Sequence, residues 1–440
     1  MSNIFFLNRI HRQLFFVLIG ITFFNLCFCQ YAPLDDSKAD PIKEYVTTFR
    51  EGKLLPKRKF VKSENPKVSI IIPMYNEEKN VLSVIRSVQN QKLQDIEIVC
   101  VNDNSNDNTL SILQKLKKED PRITIITNKS SRGVMYNRIY GALESTGEYV
   151  AFINANDGFS NPEILEKAYD IATKKYKEKI EVVHYQTCGC QIDNDGKMGN
   201  FVAFSTFIPE NFEKIIRQPE LGDNYFQKAK NITGSGVVFD KLYKKQLIKR
   251  AASYIGPHIW NQNLIYSDDF FLAYAIMKTA KSIVNIGDIG YWHLMNTKTS
   301  NDNVWDINGY KLKNPEKANK QIGDYMIITE RLLELTEDEP GSIEFREFIL
   351  RKFGQERYMK AVARSNYYDK YLYLCDKFIN WKYIDKETKE RLLNYVKFLL
   401  EFKVDPGRMF GYILEEDDND DEDDDDDDDD EYLINRPNEL

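Results

Sequence analysis

The sequence predicts an α/β fold built on a doubly wound, mostly parallel sheet. Val68–Ile72 and Ile96–Val101 are short runs rich in β-branched residues, which is typical of strands buried on both faces of a parallel sheet. Between these runs, residues 77–91 carry apolar side chains at helical spacing. A strict alternation of strand and helix favours parallel strands joined by crossover helices.

The remaining elements extend this alternation and then give way to helices. The next four predicted elements are a helix at Leu110–Lys117, a strand at Ile123–Thr127, a helix at Tyr136–Glu144 and a strand at Tyr149–Ile153. Beyond residue 160 we expect a strand at Val182–Thr187 and helices at Lys241–Lys249 and Phe270–Lys278. Helical periodicity from about 317 to 403 then predicts a helical C-terminal region over residues 301–414.

The N-terminus differs in composition from the predicted sheet. The apolar run Leu14–Cys29 follows Arg9, His11 and Arg12. At 16 residues it is shorter than the roughly 20 that span a bilayer. Residues 1–29 are therefore expected to be a signal peptide cut before Gln30, with a retained signal anchor as the alternative. Residues 30–66 are polar and contain several prolines, which favours a stem or linker.

The C-terminus is dominated by acidic residues. Residues 415–431 contain 16 carboxylates, so the net charge of −8 leaves the rest of the chain at +8. Residues 415–440 are expected to be disordered, because neighbouring carboxylates repel and nothing apolar is available to bury. Such a tail binds calcium weakly or serves only to solubilise the chain, and both interpretations stay open.

The last four residues, Pro437–Leu440, resemble an endoplasmic reticulum retrieval signal. Together with the leader they favour a protein of the secretory pathway, in the endoplasmic reticulum lumen. The alternative is a type II membrane protein of the Golgi or endoplasmic reticulum.

Two nucleotide-binding classes are disfavoured by the first strand-to-helix turn. Pro73–Glu77 follows the first strand without a glycine, and no P-loop occurs in the chain. The sequence therefore argues against a dinucleotide fold and against P-loop phosphoryl transfer. We expect no nucleic-acid partner.

Polar residues follow three of the predicted strands. They are Tyr75–Glu77 after the first strand, Asn102–Asp107 after the second and Asn154–Asp157 after the fourth. The carboxyl ends of parallel strands meet at one edge of a sheet, where ligands bind in such folds. Each cluster alone is equally consistent with ordinary turn chemistry, but three at one edge predict a ligand site.

Five segments between Lys67 and about Asn301 carry further motifs. They are KVSIIIPMYNEEKNVLSVIRSVQNQ, IEIVCVNDNSNDNTL, NRIYGALESTGEYVAFINANDGF, VFDKLYKKQLI and YSDDFFLAYAI. In this order they resemble the family 2 glycosyltransferases of GT-A fold, so we expect residues 67–300 to form a GT-A glycosyltransferase-like domain. The Gln-x-x-Arg-Trp motif of processive synthases does not occur, which favours transfer of a single sugar.

The resemblance implies a role for each matching residue. Asp103 would bind the nucleotide base, with Pro73, Tyr75 and Glu77 shaping the pocket. Asn154, Asn156 and Asp157 fall on the family's Asp-x-Asp-Asp motif, so that Asp157 and Asn156 would hold Mn²⁺ or Mg²⁺. Asp269, or its neighbour Asp268, would be the general base of an inverting transfer from a nucleotide sugar, with a UDP-sugar favoured, to a protein or lipid acceptor.

One departure from the family pattern keeps other functions open. Both aspartates of Asp-x-Asp are asparagines here, at Asn154 and Asn156, and an amide oxygen brings no charge to a cation. The alternatives are a catalytically weak or inactive protein that binds a sugar nucleotide or glycan, and a luminal calcium-binding protein that uses the acidic tail.

Overall fold

In the computed structural model, the described residues are 30–55, 59–193, 197–205, 212–218, 221, 236–295, 315–351 and 367–404. The expected leader, the acidic tail and the last four residues lie outside these ranges. No helix within the ranges combines the length and the apolar character needed to cross a membrane.

The strands of the described residues join in one sheet. They are β1 Gln30–Pro33, β2 Val68–Met74, β3 Ile96–Asn102, β4 Ile123–Thr127, β5 Tyr149–Phe152, β6 Gly158–Phe159, β7 Val182–Cys190, β8 Val202–Ser205, β9 Ile215–Arg217, β10 Lys241–Lys244 and β11 Ser282–Leu294. The neighbouring strands β5, β2, β3 and β4 are parallel to one another. The prediction of an α/β fold with a doubly wound, mostly parallel sheet of GT-A type is confirmed.

Beyond β5 the sheet continues with antiparallel pairs. β10 lies antiparallel between β5 and β7, followed by β8 and β1. The long strand β11 is parallel to β7 and pairs with the short strands β6 and β9. The predicted helix at Lys241–Lys249 is wrong in its first turn, since Lys241–Lys244 is strand β10 and the helix begins at Lys245. Pairing with β5 and β7 overrides the local helical preference there.

Helices cover both faces of the sheet. They are α1 Asp36–Arg50, α2 Val81–Gln89, α3 Thr109–Glu119, α4 Val134–Glu144, α5 Ile164–Asp170, α6 Lys245–Ile255, α7 Pro257–Trp260, α8 Asp268–Thr279, α9 Pro315–Leu335, α10 Ile343–Arg351, α11 Tyr368–Ile379 and α12 Lys386–Val404, with a π turn at Ile171–Lys175 and a 3₁₀ turn at Pro340–Ser342.

Alternate side chains of the parallel strands build two cores. Ile70 and Ile72 of β2 pack with α2, α3 and α5 on one face, whereas Ile71 packs with α4, α6 and α8 on the other. The described helices beyond residue 315 extend this second core, so the predicted helical C-terminal region is packed against the sheet. Cys100 of β3 is a free, fully buried thiol.

The N-terminal segment does not behave as a linker throughout. β1 pairs with β8, and α1 buries four apolar side chains, at Ile42, Tyr45, Val46 and Phe49. The expectation of a stem over residues 30–66 is therefore wrong for residues 30–50. The helical spacing of those four residues was present in the sequence, but the polar residues and prolines around them concealed it.

Candidate active site

The carboxyl ends of β2, β3 and β5 lie side by side. Met74 pairs with Asn102, and Ile71 pairs with Phe152. The backbone N–H of Asp103 then donates to the carbonyl of Met74 at 2.8 Å. The three polar clusters therefore meet at one edge of the sheet, which we call the rim: residues 75–77, 102–107 and 154–157.

Hydrogen bonds join the first two loops of the rim. The N–H of Asn76 donates to Ser105 Oγ at 3.0 Å, and the N–H of Glu77 donates to Thr109 Oγ1 at 2.7 Å. Asn76 and Asn104 have left-handed backbones, with φ of 57° and 62°. Asparagine tolerates this conformation better than most residues because its short polar side chain bonds locally.

The predicted pocket residues differ in how far they face the rim. Tyr75 is 54% exposed and lies at the open side, whereas Pro73 is buried within β2. The half-buried Glu77 accepts a hydrogen bond from Asn80 Nδ2 at 2.8 Å. Burial raises the pKa of the Glu77 carboxyl, and the nearby carboxylates of Asp107 and Asp157 raise it further.

Asp103 is buried and holds the loop that precedes α4. Its two oxygens accept from Asn128 Nδ2, Ser131 Oγ and the backbone N–H groups of Arg132 and Gly133, at 2.7 to 3.1 Å. These four donors occupy the usual capacity of a carboxylate. In this structure Asp103 orders the loop over residues 128–133, beside the place predicted for the nucleotide base.

Asp157 is likewise buried and fully hydrogen-bonded. Its carboxylate accepts from the Tyr291 hydroxyl at 2.7 Å, from the Leu294 backbone N–H at 3.0 Å and from Asn154 Nδ2 at 3.0 Å. His293 Nδ1 lies 3.0 Å from the same carboxylate. Burial alone would lower the pKa of His293, but the carboxylates of Asp157 and Asp269 together outweigh burial and raise it.

Arg138 links the third loop to the acidic pair at the start of α8. Its guanidinium donates to Asn154 Oδ1 at 2.7 Å and contacts Asp268 Oδ2 at 2.5 Å and Asp269 Oδ1 at 2.7 Å. Its side chain is only 3% exposed. Burial alone would lower the pKa of Arg138, but the two carboxylates outweigh burial and raise it, so the guanidinium is a fixed positive charge.

The two carboxylates of this pair differ in access to solvent. The Asp268 side chain is 7% exposed and that of Asp269 is 30% exposed. Asp269 Oδ1 is itself buried, so the exposed carboxylate oxygen of Asp269 is Oδ2. Burial raises the pKa of both carboxyls, and the Arg138 charge only partly reverses that effect.

Comparison with known protein families matches the part of the chain that carries the rim. The family model described as "Glycosyl transferase family 2" matches residues 69–243. The chain contains a family 2 glycosyltransferase domain. The matched segment includes the three rim loops and Arg138, while the acidic pair follows it in the chain.

The curated relatives are bacterial glycosyltransferases that align over part of their length. A GalNAc(5)-diNAcBac-PP-undecaprenol beta-1,3-glucosyltransferase of Campylobacter jejuni is 31% identical over 42% of this chain and 53% of its own. A cholesterol galactosyltransferase of Borreliella burgdorferi is 26% identical over 50% of this chain and 58% of its own. The chain thus spans little more than half the length of these relatives.

A solved structure supports the fold. The crystal structure of Staphylococcus aureus TarS 1–349 in complex with UDP superposes with a TM-score of 0.50, at 17% identity, over 79% of this chain and 93% of that one. At this identity the likeness concerns the GT-A fold.

The side chains at the expected metal position of the family 2 domain do not fit a divalent ion. Asn154 uses both ends of its amide on Arg138 and Asp157, and Asp157 is saturated by internal donors. Asn156 is half-buried and neutral. No cluster of three or more metal-ligating side chains occurs among the described residues. Mg²⁺ is usually held by one or two carboxylates together with waters and substrate phosphates, and the Asp157 carboxylate at this position is already engaged by internal donors.

Arg138 is the site residue that sequence reasoning missed. It lies on α4 between Met135 and Ala142, on the face buried against the sheet. A charged residue on an apolar helix face is almost never fully buried unless it is paired, so this position was a usable signal.

Proposed function

We propose that the family 2 domain transfers a single sugar from a nucleotide sugar to an acceptor hydroxyl, with Asp269 as general base. The observation that supports this most is the acidic pair of α8. Arg138 contacts both carboxylates, and the Asp269 side chain is 30% exposed against 7% for Asp268. The sequence left Asp268 and Asp269 as alternatives, and access to an acceptor favours Asp269. Asp268 then acts as a positioning residue through Arg138.

The proposed step is a direct displacement with inversion. The acceptor oxygen forms a bond to the anomeric carbon while the bond from that carbon to the diphosphate oxygen breaks. The proton of the acceptor hydroxyl goes to Asp269 Oδ2, and the nucleoside diphosphate leaves with the bonding electrons. A carboxylate with a raised pKa is a stronger base than an ordinary one and suits this task.

The identity of donor and acceptor rests on the relatives. The UDP complex of TarS supports a UDP-sugar as donor, with Tyr75, Glu77 and the loop ordered by Asp103 around the nucleotide. The names of the two curated relatives concern undecaprenol-linked and cholesterol acceptors, which favours a lipid over a protein acceptor.

We also propose that the chain acts in the secretory pathway. Fluorescent tagging of the full chain tests this proposal, and a cytosolic distribution would contradict it.

A second candidate function is a sugar-nucleotide-binding protein with little or no turnover. The observation that favours it is the pair of neutral side chains, Asn154 and Asn156, at the expected metal position. In that case the protein binds UDP but transfers no sugar.

Calcium binding by residues 415–431 is a further proposal. It is tested by counting the Ca²⁺ ions bound before and after deletion of these residues, and an unchanged count would contradict it.

A donor screen with an Asp269→Asn variant separates these candidates. Purified protein is given several UDP- and GDP-sugars, and release of the nucleoside diphosphate is measured. We expect turnover with a UDP-sugar and a loss of at least about 10³-fold in kcat for Asp269→Asn, with UDP affinity retained. Asp338→Asn, which alters an 85% exposed carboxylate far along the chain, is the control. Turnover that survives Asp269→Asn would remove Asp269 from the mechanism, and no turnover with any donor would favour the binding protein.

A further inference from the structure

The acidic pair follows directly on an irregular loop, residues 261–267. Ser267 precedes α8 with a left-handed backbone, φ 57°, and its side chain makes no capping hydrogen bond. A serine keeps this conformation only when the surrounding structure enforces it. The direction in which Asp269 leaves the loop therefore depends on what holds residues 261–267.

Helix α9 of the C-terminal region holds the middle of this loop. Asp324 Oδ2 accepts from the backbone N–H of Ile265 at 3.0 Å and from that of Tyr266 at 3.2 Å. Lys320, one turn earlier on α9, pairs with Asp324 Oδ1 and donates to the carbonyl of Asn263. Asp324 is 2% exposed, so these bonds are shielded from competing water.

The opposite side of the loop contacts the rim. Arg132 donates to the carbonyl of Asn261 at 3.2 Å, and its own backbone is held by Asp103. Gly133 lies so close to the loop that a Cβ there would be 2.6 Å from Asn263 Oδ1. The loop is thus fixed between the segment ordered by Asp103 and helix α9.

We propose that Asp324 is a positioning residue for sugar transfer, which sets Asp269 through the backbone of Ile265 and Tyr266. This inference rests on the proposed function, because it assigns Asp324 to the same reaction. It also assigns the C-terminal helical region a role in catalysis. Helix α9 is held in the core by Ile322 and Met326, both at most 1% exposed, so that Asp324 on this helix holds the loop before the acidic pair in a fixed position.

The test compares two substitutions at Asp324 with a matched change on the same helix. Asp324→Ala removes the acceptor of both N–H groups, whereas Asp324→Asn keeps an oxygen that can accept them. Glu330→Gln removes the surface pair with Lys370, 2.8 Å apart, and is the control. We expect Asp324→Ala to lower kcat by about 10- to 100-fold, with the donor KM changed less than about twofold, because misplacement by about 1 Å can cost that much.

The conservative variant and the control then separate positioning from folding. Asp324→Asn should retain kcat within about threefold of the wild type, and Glu330→Gln within about twofold. Unchanged UDP affinity in Asp324→Ala shows that the domain is folded. A kcat of Asp324→Ala within about twofold of the wild type would overturn the proposal, as would equal losses in Asp324→Ala and Glu330→Gln.

Amide exchange distinguishes failure of this inference from failure of the proposed function. If the wild type turns over no donor, the proposed function fails, and hydrogen exchange of residues 261–269 still tests the contact. Exchange that is at least about tenfold faster in Asp324→Ala than in the wild type supports the role of Asp324 in fixing the loop. Unchanged exchange overturns it.

Discussion

Asn154 joins Arg138 to Asp157 of the rim, since its amide oxygen accepts from Arg138 and its amide nitrogen donates to Asp157. An aspartate here would keep the contact with Arg138 but would place a second negative charge against the Asp157 carboxylate. The asparagine therefore fits between two existing ion pairs, that of Arg138 with the α8 carboxylates and that of His293 with Asp157. We therefore expect Asn154 to determine whether a divalent cation binds at this position.

The Asn154→Asp variant tests that interpretation. We expect Mn²⁺ to change the wild-type Kd for UDP by less than about twofold, and to tighten UDP binding by Asn154→Asp about tenfold, or about 1.4 kcal/mol. The physical reason is that the new carboxylate, crowded by Asp157, gains a counter-charge from the ion. Calorimetric titration of UDP with Mn²⁺ and with chelator measures both values. Wild-type binding that tightens tenfold with Mn²⁺ would contradict the account.

The raised pKa of Asp269 predicts the acid side of the pH profile. The base works when deprotonated, so kcat/KM falls as the pH drops through the pKa of this carboxyl. Because burial raises that pKa, the fall begins at a higher pH than the roughly 3.9 of an ordinary aspartate would give. Initial rates measured between about pH 4.5 and 9 test this predicted fall in kcat/KM. A rate that stays level down to the acid end of that range would contradict the prediction.

Helix α1 stabilises the rim from outside the matched family segment. Phe49 is fully buried, and its ring lies 5.9 Å from that of Trp292, next to His293 in the chain. The same ring approaches Gly158 so closely that a Cβ there would be 2.5 Å from Phe49 Cζ. Phe49 therefore packs between the residues that follow Asp157 and the strand that carries His293.

Replacing Phe49 by alanine should destabilise the domain. We expect a loss of about 3 kcal/mol or more in the free energy of unfolding, since a buried Phe→Ala change leaves a cavity. Leu54→Ala is the control, because Leu54 is 39% exposed, and it should cost less than about 1 kcal/mol. Urea unfolding followed by circular dichroism measures both. Equal, small effects would show that α1 is not part of the folded unit.

Elements set by local pattern were predictable, and those set by distant pairing were not. The parallel strands from β2 to β5 follow from short β-branched runs, and β4 begins and ends at its predicted residues. β10 was missed because Leu242 and Tyr243 are strand residues only through pairing with β5 and β7. The rim loops were predictable from topology. The saturation of Asp157 was not, because Tyr291 and His293 are more than 130 residues away in sequence.

At the scale of the molecule, the described residues place the rim, which we propose binds the nucleotide, between two packed regions. The parallel half of the sheet supplies the loops at Tyr75, Asp103 and Asp157, while β11 and the C-terminal helices fix His293 and the α8 pair from the other side. This arrangement accounts for why residues distributed from 75 to 324 converge on one site. The central claim is that these loops together bind the nucleoside diphosphate of a sugar donor.

Hydrogen exchange of the full chain with and without UDP tests that claim most directly. Ligand contact slows exchange by stabilising the bound loops. We expect slower exchange in residues 74–77, 102–107, 128–133 and 154–157 on addition of UDP, with little change in α12, whose hydrogen bonds run to α10 and α11. Protection confined to other parts of the chain, or none at UDP concentrations well above millimolar, would contradict it.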